Sequence, residues 1–183
     1  MIVRTSNWLG AKKWSLHFCA KTKANFRFVP QTKFISSLVK EICDESTEVN
    51  SRTTAALLFK NTLINATQQE GCDGIWYRVE DQLRGFIKDA LLTMLQSEQR
   101  STLKDASICL GIIAAIEVPD GMWDHFLQTM ADNSTSETFQ FRLASVQTMG
   151  MMCEFLQENI GKPLKPEQIG RVLHSTICNI DPL

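Results

Sequence analysis

The chain has 183 residues, of which 44% are hydrophobic and 21% charged, with a net charge of −1. These values are ordinary for a globular protein and exclude wholesale disorder. No run approaches the roughly 18–20 apolar residues that a membrane-spanning helix needs, and the N-terminus lacks a secretory h-region. The six cysteines form no CxxC pair, which favours a reducing compartment.

Charge is distributed unevenly along the chain. Residues 1–40 contain eight basic residues and no acidic residue, whereas the remainder contains 11 basic and 20 acidic residues and so carries a net charge of −9. Residues 1–29 also contain scattered tryptophan and phenylalanine without a sustained period. We interpret 1–29 as a divergent or truncated basic N-terminal segment. Its acid-free composition is also that of a mitochondrial transit peptide, so mitochondrial routing is the alternative.

From Pro30 onward, apolar residues recur at helical spacing. The pattern predicts a first helix over about 33–44. A second begins at a cap, Asn50 or Ser51, and ends at a break near 67–75. A third runs from Ile75 to Leu95. Ser101 or Thr102 opens a fourth helix, which is apolar on most sides and therefore buried. No stretch alternates with period two, so the fold class is all-α.

Pro119 is expected to end the fourth helix, because proline lacks an N–H and biases Val118 away from the helical conformation. Asp120 is the expected N-cap of the next helix, with Trp123 buried at the corner. A polar loop over 131–136 then leads to a long helix from Phe139 that ends before Gly161. Pro166 starts a last helix, whose apolar face would lie uncovered at the end of the chain (Leu173, Ile177 and Ile180).

Second helices of successive hairpins centre near residues 58, 109 and 147, a spacing typical of HEAT and armadillo repeats. A weak internal signature supports repetition: RTTAALL at 52–58, KDASICL at 104–110 and RLASVQT at 142–148. Each begins with a basic residue (Arg52, Lys104, Arg142), which we expect to contact a neighbouring repeat. Three positions later, each has a small residue that allows close helix approach. The sequence predicts a right-handed α-solenoid of about four HEAT repeats built from antiparallel helix pairs.

Several motifs resemble the importin-β (karyopherin-β) family. LFKNTL at 58–63 resembles the family's LKN element, and Trp76 and FIKDALLTML at 86–95 follow it in the family's order. ASICLGIIAAIEVPDGMW at 106–123 is similar to the family's corner in its early HEAT repeats. The resemblance assigns 30–183 to an importin-β-like N-terminal HEAT-repeat domain. The family's acidic first helix is not recognisable in residues 1–25, and the chain stops after about four repeats.

The resemblance implies a nuclear transport receptor fragment that binds the GTP-bound GTPase Ran through its second helices. Lys60 and Asn61, near the end of a second helix, are the candidate Ran-binding residues. Cargo or adaptor and nucleoporins are expected partners only of a longer protein, and neither nucleic acid nor a membrane is an expected partner. The implied location is cytoplasm and nucleus. The alternative is a structural HEAT-repeat scaffold without transport function, routed to mitochondria by the basic N-terminus.

Residues with catalytic or metal-binding potential form no complete motif. His174 and Cys178 are four apart on one helical face, but two ligands are incomplete for zinc. The sequence has no Gly-rich phosphate loop, HExxH or G-x-S-x-G motif. Glu117 is expected to accept backbone N–H bonds at its corner. We therefore expect no enzyme activity, no cofactor and no metal site.

Overall fold

A computed structural model describes the backbone of residues 31–67, 74–158 and 160–177. It describes the side chains of the same ranges except residues 31, 66, 67 and 173–177. These ranges form seven α-helices and one 3-10 helix: α1 (Gln31–Cys43), α2 (Val49–Thr67), the 3-10 helix (Ile75–Arg78), α3 (Asp81–Met94), α4 (Arg100–Asp120), α5 (Phe126–Ser134), α6 (Phe139–Gln157) and α7 (Pro166–Ile177). None of these helices is long and apolar enough to cross a membrane. The predicted segment 1–29 lies outside the described residues.

The helices pack as pairs in two parallel rows. α1 packs on α2, α3 on α4, and α5 on α6, which makes three helix pairs, and α7 is the first helix of a fourth. The second helices form one row, in which α2 contacts α4 and α4 contacts α6. In the other row α1 contacts α3 and α5 contacts α7. The predicted all-α solenoid of HEAT-type helix pairs is confirmed.

The centre of the stack is α4, which is surrounded by other elements. Every residue from 109 to 119 is buried, because α4 packs against α2, α3 and α6. The near absence of polar side chains over this stretch follows from burial on all sides. The prediction of a largely buried central helix is confirmed.

The small residues of the internal signature, Ala55, Ser107 and Ser145, are all buried. The Ser107 hydroxyl donates to the Ala144 carbonyl across the α4–α6 contact, at 3.3 Å. A Cβ added at Gly111 would lie 2.5 Å from the Met151 Cβ. The small residues Ser107 and Gly111 therefore allow α6 to approach α4 closely, as the repeats predicted for Ser107.

The basic residues of the signature behave differently from one another. Arg52 is buried, and its Nη2 donates to the Gln99 side chain of the next repeat at 2.8 Å, as predicted. Arg142 instead donates to the Ser136 and Glu137 carbonyls in the loop before its own helix. Lys104 is exposed. The prediction of a contact to a neighbouring repeat is therefore wrong for Arg142, because the loop carbonyls lie closer.

The end of α4 differs from the prediction. The helix continues through Pro119 to Asp120 and ends at Gly121, which has a φ of 73°. The Gly121 N–H bonds the Val118 carbonyl and the Met122 N–H bonds the Glu117 carbonyl, the pattern of a Schellman cap. Pro119 is tolerated because, this close to the end, it removes only the bond to the Ala115 carbonyl. Asp120 therefore closes α4 and does not cap α5.

Other boundaries shift for local reasons. The predicted helix from Ile75 to Leu95 is divided into the 3-10 helix and α3, with an extended Val79 between them. α5 continues to Ser134, through part of the predicted loop over 131–136. α2 begins at Val49 and α4 at Arg100, slightly before their predicted starts. Pro166 is the first residue of α7, as predicted. The predicted apolar face of that helix lies outside the described side chains.

The loop between α6 and α7 folds over the C-terminal part of α4. Gly161 has a φ of 85°, and a Cβ there would lie 2.0 Å from the Ala115 carbonyl oxygen. Both the left-handed backbone and this close approach require glycine. Ala115 is also the residue whose carbonyl lost its helical N–H partner at Pro119. The α6–α7 loop therefore closes over the point at which the α4 hydrogen-bond ladder is interrupted.

We predict that Gly111→Ala lowers the free energy of unfolding by about 1–3 kcal/mol, because the added methyl overlaps Met151. Alanine in a helix otherwise stabilises by about 1 kcal/mol relative to glycine. Gly150→Ala is the matched control, since no atom lies within 4 Å of an added Cβ at that helical position. Denaturant unfolding followed by circular dichroism measures both. Equal stability of the two variants would contradict the close α4–α6 contact.

Candidate partner-binding surface and the polar cluster behind it

The solvent-facing side of α2 carries a line of mostly polar residues. Its exposed members recur every three or four positions, which places them on one helical face. We call them the α2 stripe: Asn50, Thr54, Leu57, Asn61 and Asn65. Lys60 is half-buried beside the stripe. Asparagine side chains both donate and accept hydrogen bonds, so this surface can pair with polar groups of a partner.

The two predicted site residues therefore lie next to each other on an accessible helix. They do not lie near its end, because α2 continues for seven residues beyond Lys60 to Thr67. Asn61 accordingly does not act as a helix C-cap. Whether the pair contacts a partner stays a prediction.

Polar contacts behind the stripe fix α2 against α4. The Thr53 hydroxyl donates to Asp105 Oδ2 at 2.9 Å. Burial raises the pKa of Asp105, and the bond from Thr53 and the charge of Arg52 act in the opposite direction. Arg52 Nε and Nη1 have no hydrogen-bond partner, although the side chain is buried. These groups set how the first and second repeats meet, and hence the orientation of the stripe.

Near the end of α4, the buried Glu117 carboxylate contacts side chains of the 3-10 helix and α3. Glu117 is 1% exposed. Its Oε1 accepts a hydrogen bond from Trp76 Nε1 at 2.9 Å, and its Oε2 pairs with Lys88 Nζ at 2.7 Å. Arg84 Nε lies 3.9 Å from Oε1, while Arg84 Nη2 pairs with Asp81. The expectation of backbone N–H partners for Glu117 is wrong: side chains of α3 and the 3-10 helix supply them.

Lys88 extends this cluster to the next repeat. Its Nζ lies 4.8 Å from the centroid of the Trp123 ring, within the range of a cation–π contact. Trp123 also packs against Phe126, with ring centroids 4.7 Å apart. Trp123 is half-buried and packs against the core, so the predicted corner tryptophan joins the two repeats without being fully enclosed. Of the two tryptophans within the described ranges, Trp76 is the more deeply buried, at 1% exposed.

Four residues of the motifs singled out in the sequence thus meet in one place: Trp76, Lys88, Glu117 and Trp123. Their order along the chain was visible in the sequence, but their pairing was not. Arg84 was missed altogether. The sequence did contain a signal for Arg84: it lies four residues before Lys88, so both side chains lie on the same face of α3.

The described residues contain no group of three His, Cys, Asp or Glu side chains that could hold a metal ion. The candidate ligands His174 and Cys178 lie outside the described side chains. Burial raises the pKa of the Cys43, Cys109 and Cys153 thiols. These thiols therefore stay protonated at neutral pH and act as small apolar groups.

Comparison with curated proteins finds importin β subunits. The chain is 33% identical over 118 residues to importin subunit beta-1 of Saccharomyces cerevisiae, covering 62% of this chain and 14% of that protein. It is 23% identical over 146 residues to importin subunit beta-1 of Arabidopsis thaliana, covering 79% of this chain and 16% of that protein. No family model matches.

Solved structures of the same kind match the fold. The structure of yeast importin-β (Kap95p) superposes with a TM-score of 0.71 at 23% identity, covering 89% of this chain and 19% of that one. The Kap95:Nup1 complex gives 0.70 at 22% identity, covering 96% and 20%. The chain is thus similar to importin β in sequence and shares the fold of its solved structures, a stack of helix pairs.

The chain spans only a small part of the length of these relatives, 14% and 16% of the two importin subunits.

We predict that Glu117→Gln lowers the free energy of unfolding by about 3 kcal/mol, because it leaves the half-buried Lys88 ammonium without a counter-charge. Lys88→Met should cost a similar amount, and the double variant should be more stable than the sum of the two single changes implies. Denaturant unfolding monitored by tryptophan fluorescence measures all three. Glu98→Gln, at an exposed acidic residue, is the control and should change stability by less than about 0.5 kcal/mol. Strict additivity would argue against the ion pair.

Proposed function

We propose that this chain is part of a nuclear transport receptor and that it binds Ran in its GTP form through the second-helix row. The α2 stripe carries the proposal, since it is the exposed polar surface on which the predicted residues Lys60 and Asn61 lie. The similarity to importin β supports the transport role. The family resemblance supports the choice of Ran.

The chemistry of the surface suits a polar partner. Lys60, which is half-buried, supplies one positive charge on α2. Asn61 and Asn65 offer amide donors and acceptors on successive turns. Polar switch loops of a GTPase become ordered by the γ-phosphate. A rigid helical row can discriminate between nucleotide states because these loops change shape.

Further partners and the cellular location are proposed on the same similarity to importin β. Cargo or adaptor and nucleoporins are proposed as partners only where this segment forms part of a longer protein, and location in cytoplasm and nucleus is proposed with them. Similarity to importin β subunits favours this proposal over a HEAT-repeat scaffold without transport function. It lends no support to mitochondrial routing.

We expect the full chain to bind Ran-GTP with a Kd of about 1 μM, equivalent to about −8 kcal/mol, and Ran-GDP much more weakly. Isothermal titration against both nucleotide forms measures this. Lys60→Ala and Asn61→Ala should each weaken binding by about fivefold, which corresponds to about 1 kcal/mol. Rising salt should weaken binding, because the Lys60 contact is partly electrostatic.

Lys40→Ala is the matched control, because Lys40 is an exposed lysine on α1, in the opposite row. It should leave the affinity unchanged. Equal affinity for the two nucleotide forms, or no binding at high protein concentration, would contradict the proposal. Thermal melting of every variant distinguishes a lost contact from a lost fold.

A further inference from the structure

Tyr77 is the only tyrosine of the chain and lies on the surface. It belongs to the 3-10 helix, and its side chain is 39% exposed. Its neighbour Trp76 is buried. The Tyr77 hydroxyl therefore stands at the solvent boundary, while the backbone that carries it is anchored in the core.

The Tyr77 hydroxyl is one member of an exposed polar network. It donates a hydrogen bond to Asp120 Oδ2 at 2.7 Å, and Lys162 Nζ pairs with the other oxygen, Asp120 Oδ1, at 2.6 Å. The pKa of Asp120 is lowered: partial burial alone would raise it, but the bonds from Lys162 and Tyr77 and the charge of Lys165 outweigh that effect. One carboxylate thus joins the 3-10 helix, the end of α4 and the α6–α7 loop.

The same loop is fixed to α4 at two further points. Gly161 lies against the Ala115 carbonyl. The Gln168 Nε2 donates to the Val118 carbonyl at 2.6 Å. We call the contacts of Tyr77, Asp120, Lys162 and Gln168 the α4 clasp. It holds the α6–α7 corner against the preceding repeat, so a change in its charge alters a contact between repeats.

We propose that Tyr77 is a phosphorylation site for a protein tyrosine kinase and that its phosphorylation loosens the α4 clasp. In the reaction the Tyr77 oxygen forms a bond to the γ-phosphorus of ATP, and the bond from that phosphorus to the β–γ bridging oxygen breaks. ADP leaves, and the phenolic proton passes to solvent through the kinase. The kinase and MgATP supply every group that the transfer requires.

The consequence follows from charge. A phosphotyrosine carries about −1.5 to −2 charges at pH 7 and cannot donate a hydrogen bond from its ester oxygen. In place of a 2.7 Å hydrogen bond, Asp120 would face a dianion. Lys162 and Lys165 provide two positive charges for the three or so negative charges then present. Repulsion between the phosphate and Asp120 therefore separates the 3-10 helix from the α4 end, and Lys162 leaves Asp120 for the phosphate.

The test treats the full chain with an active tyrosine kinase domain of broad specificity and MgATP. Intact mass should show one added phosphoryl group, and none in Tyr77→Phe. A peptide covering residues 72–83 is the positive control for the kinase. If the peptide is phosphorylated and the folded chain is not, the proposed site is wrong.

Phosphorylation should lower the Tm by about 2–4 °C and speed hydrogen exchange over residues 161–168. Asp120→Asn is the matched variant: the repelled carboxylate is gone, so phosphorylation should no longer lower its Tm. In a chain that keeps Asp120, Lys162→Gln should enlarge the loss of Tm on phosphorylation. Unaltered exchange over 161–168 after stoichiometric phosphorylation, or an equal Tm loss in Asp120→Asn, would overturn the proposal.

Discussion

The structure depends on one buried carboxylate, that of Glu117, in an otherwise apolar helix. Both of its oxygens have side-chain partners. Glu117 lies in the part of α4 that is buried on all sides, where an unpaired charge would be very unfavourable. Its partners come from α3 and the 3-10 helix, so its burial requires both elements to be in register with α4. Lys88 then contacts Trp123, which precedes α5. A single ion pair thus couples the orientation of two helices within a repeat to the start of the next.

Small residues set the second constraint, because α4 must approach its neighbours closely to be buried at all. Ser107 and Gly111 allow contact with α6, and Gly161 allows the α6–α7 loop to reach the Ala115 carbonyl. Between α2 and α4 the Thr53 hydroxyl donates to Asp105, just as the Ser107 hydroxyl donates to the Ala144 carbonyl between α4 and α6. The contacts of α4 with both neighbouring second helices therefore combine packing with a hydrogen bond. In a solenoid each repeat contacts only its neighbours, so these local contacts set how successive repeats are oriented.

The sequence predicted the helices and the repeats well, because burial on one face leaves a helical period that can be read directly. Sequence-based prediction failed where residues distant in the chain decided the local structure. Pro119 was expected to end α4, but the left-handed Gly121 ends it and the α6–α7 loop covers the Ala115 carbonyl, which has no helical N–H partner at Pro119. The partners of Glu117 lie 29 and 41 residues away, and no period relates them. Lys60 and Asn61 were placed on an accessible helix, yet an exposed stripe does not identify its partner.

The α2 stripe is separate from the cluster around Glu117. Asn61 and Asn65 are exposed, whereas Trp76 and Glu117 are buried and Lys88 is half-buried. Substitutions in the stripe leave the ion pair and the α4–α6 contact intact, and their effect on stability is small. The α4 clasp is intermediate: its charges face solvent, yet it joins the α6–α7 corner to α4. The affinity of a partner that contacts both α2 and α6 would depend on the angle between repeats. That angle is set by the interfaces of α4 and not by the residues the partner touches.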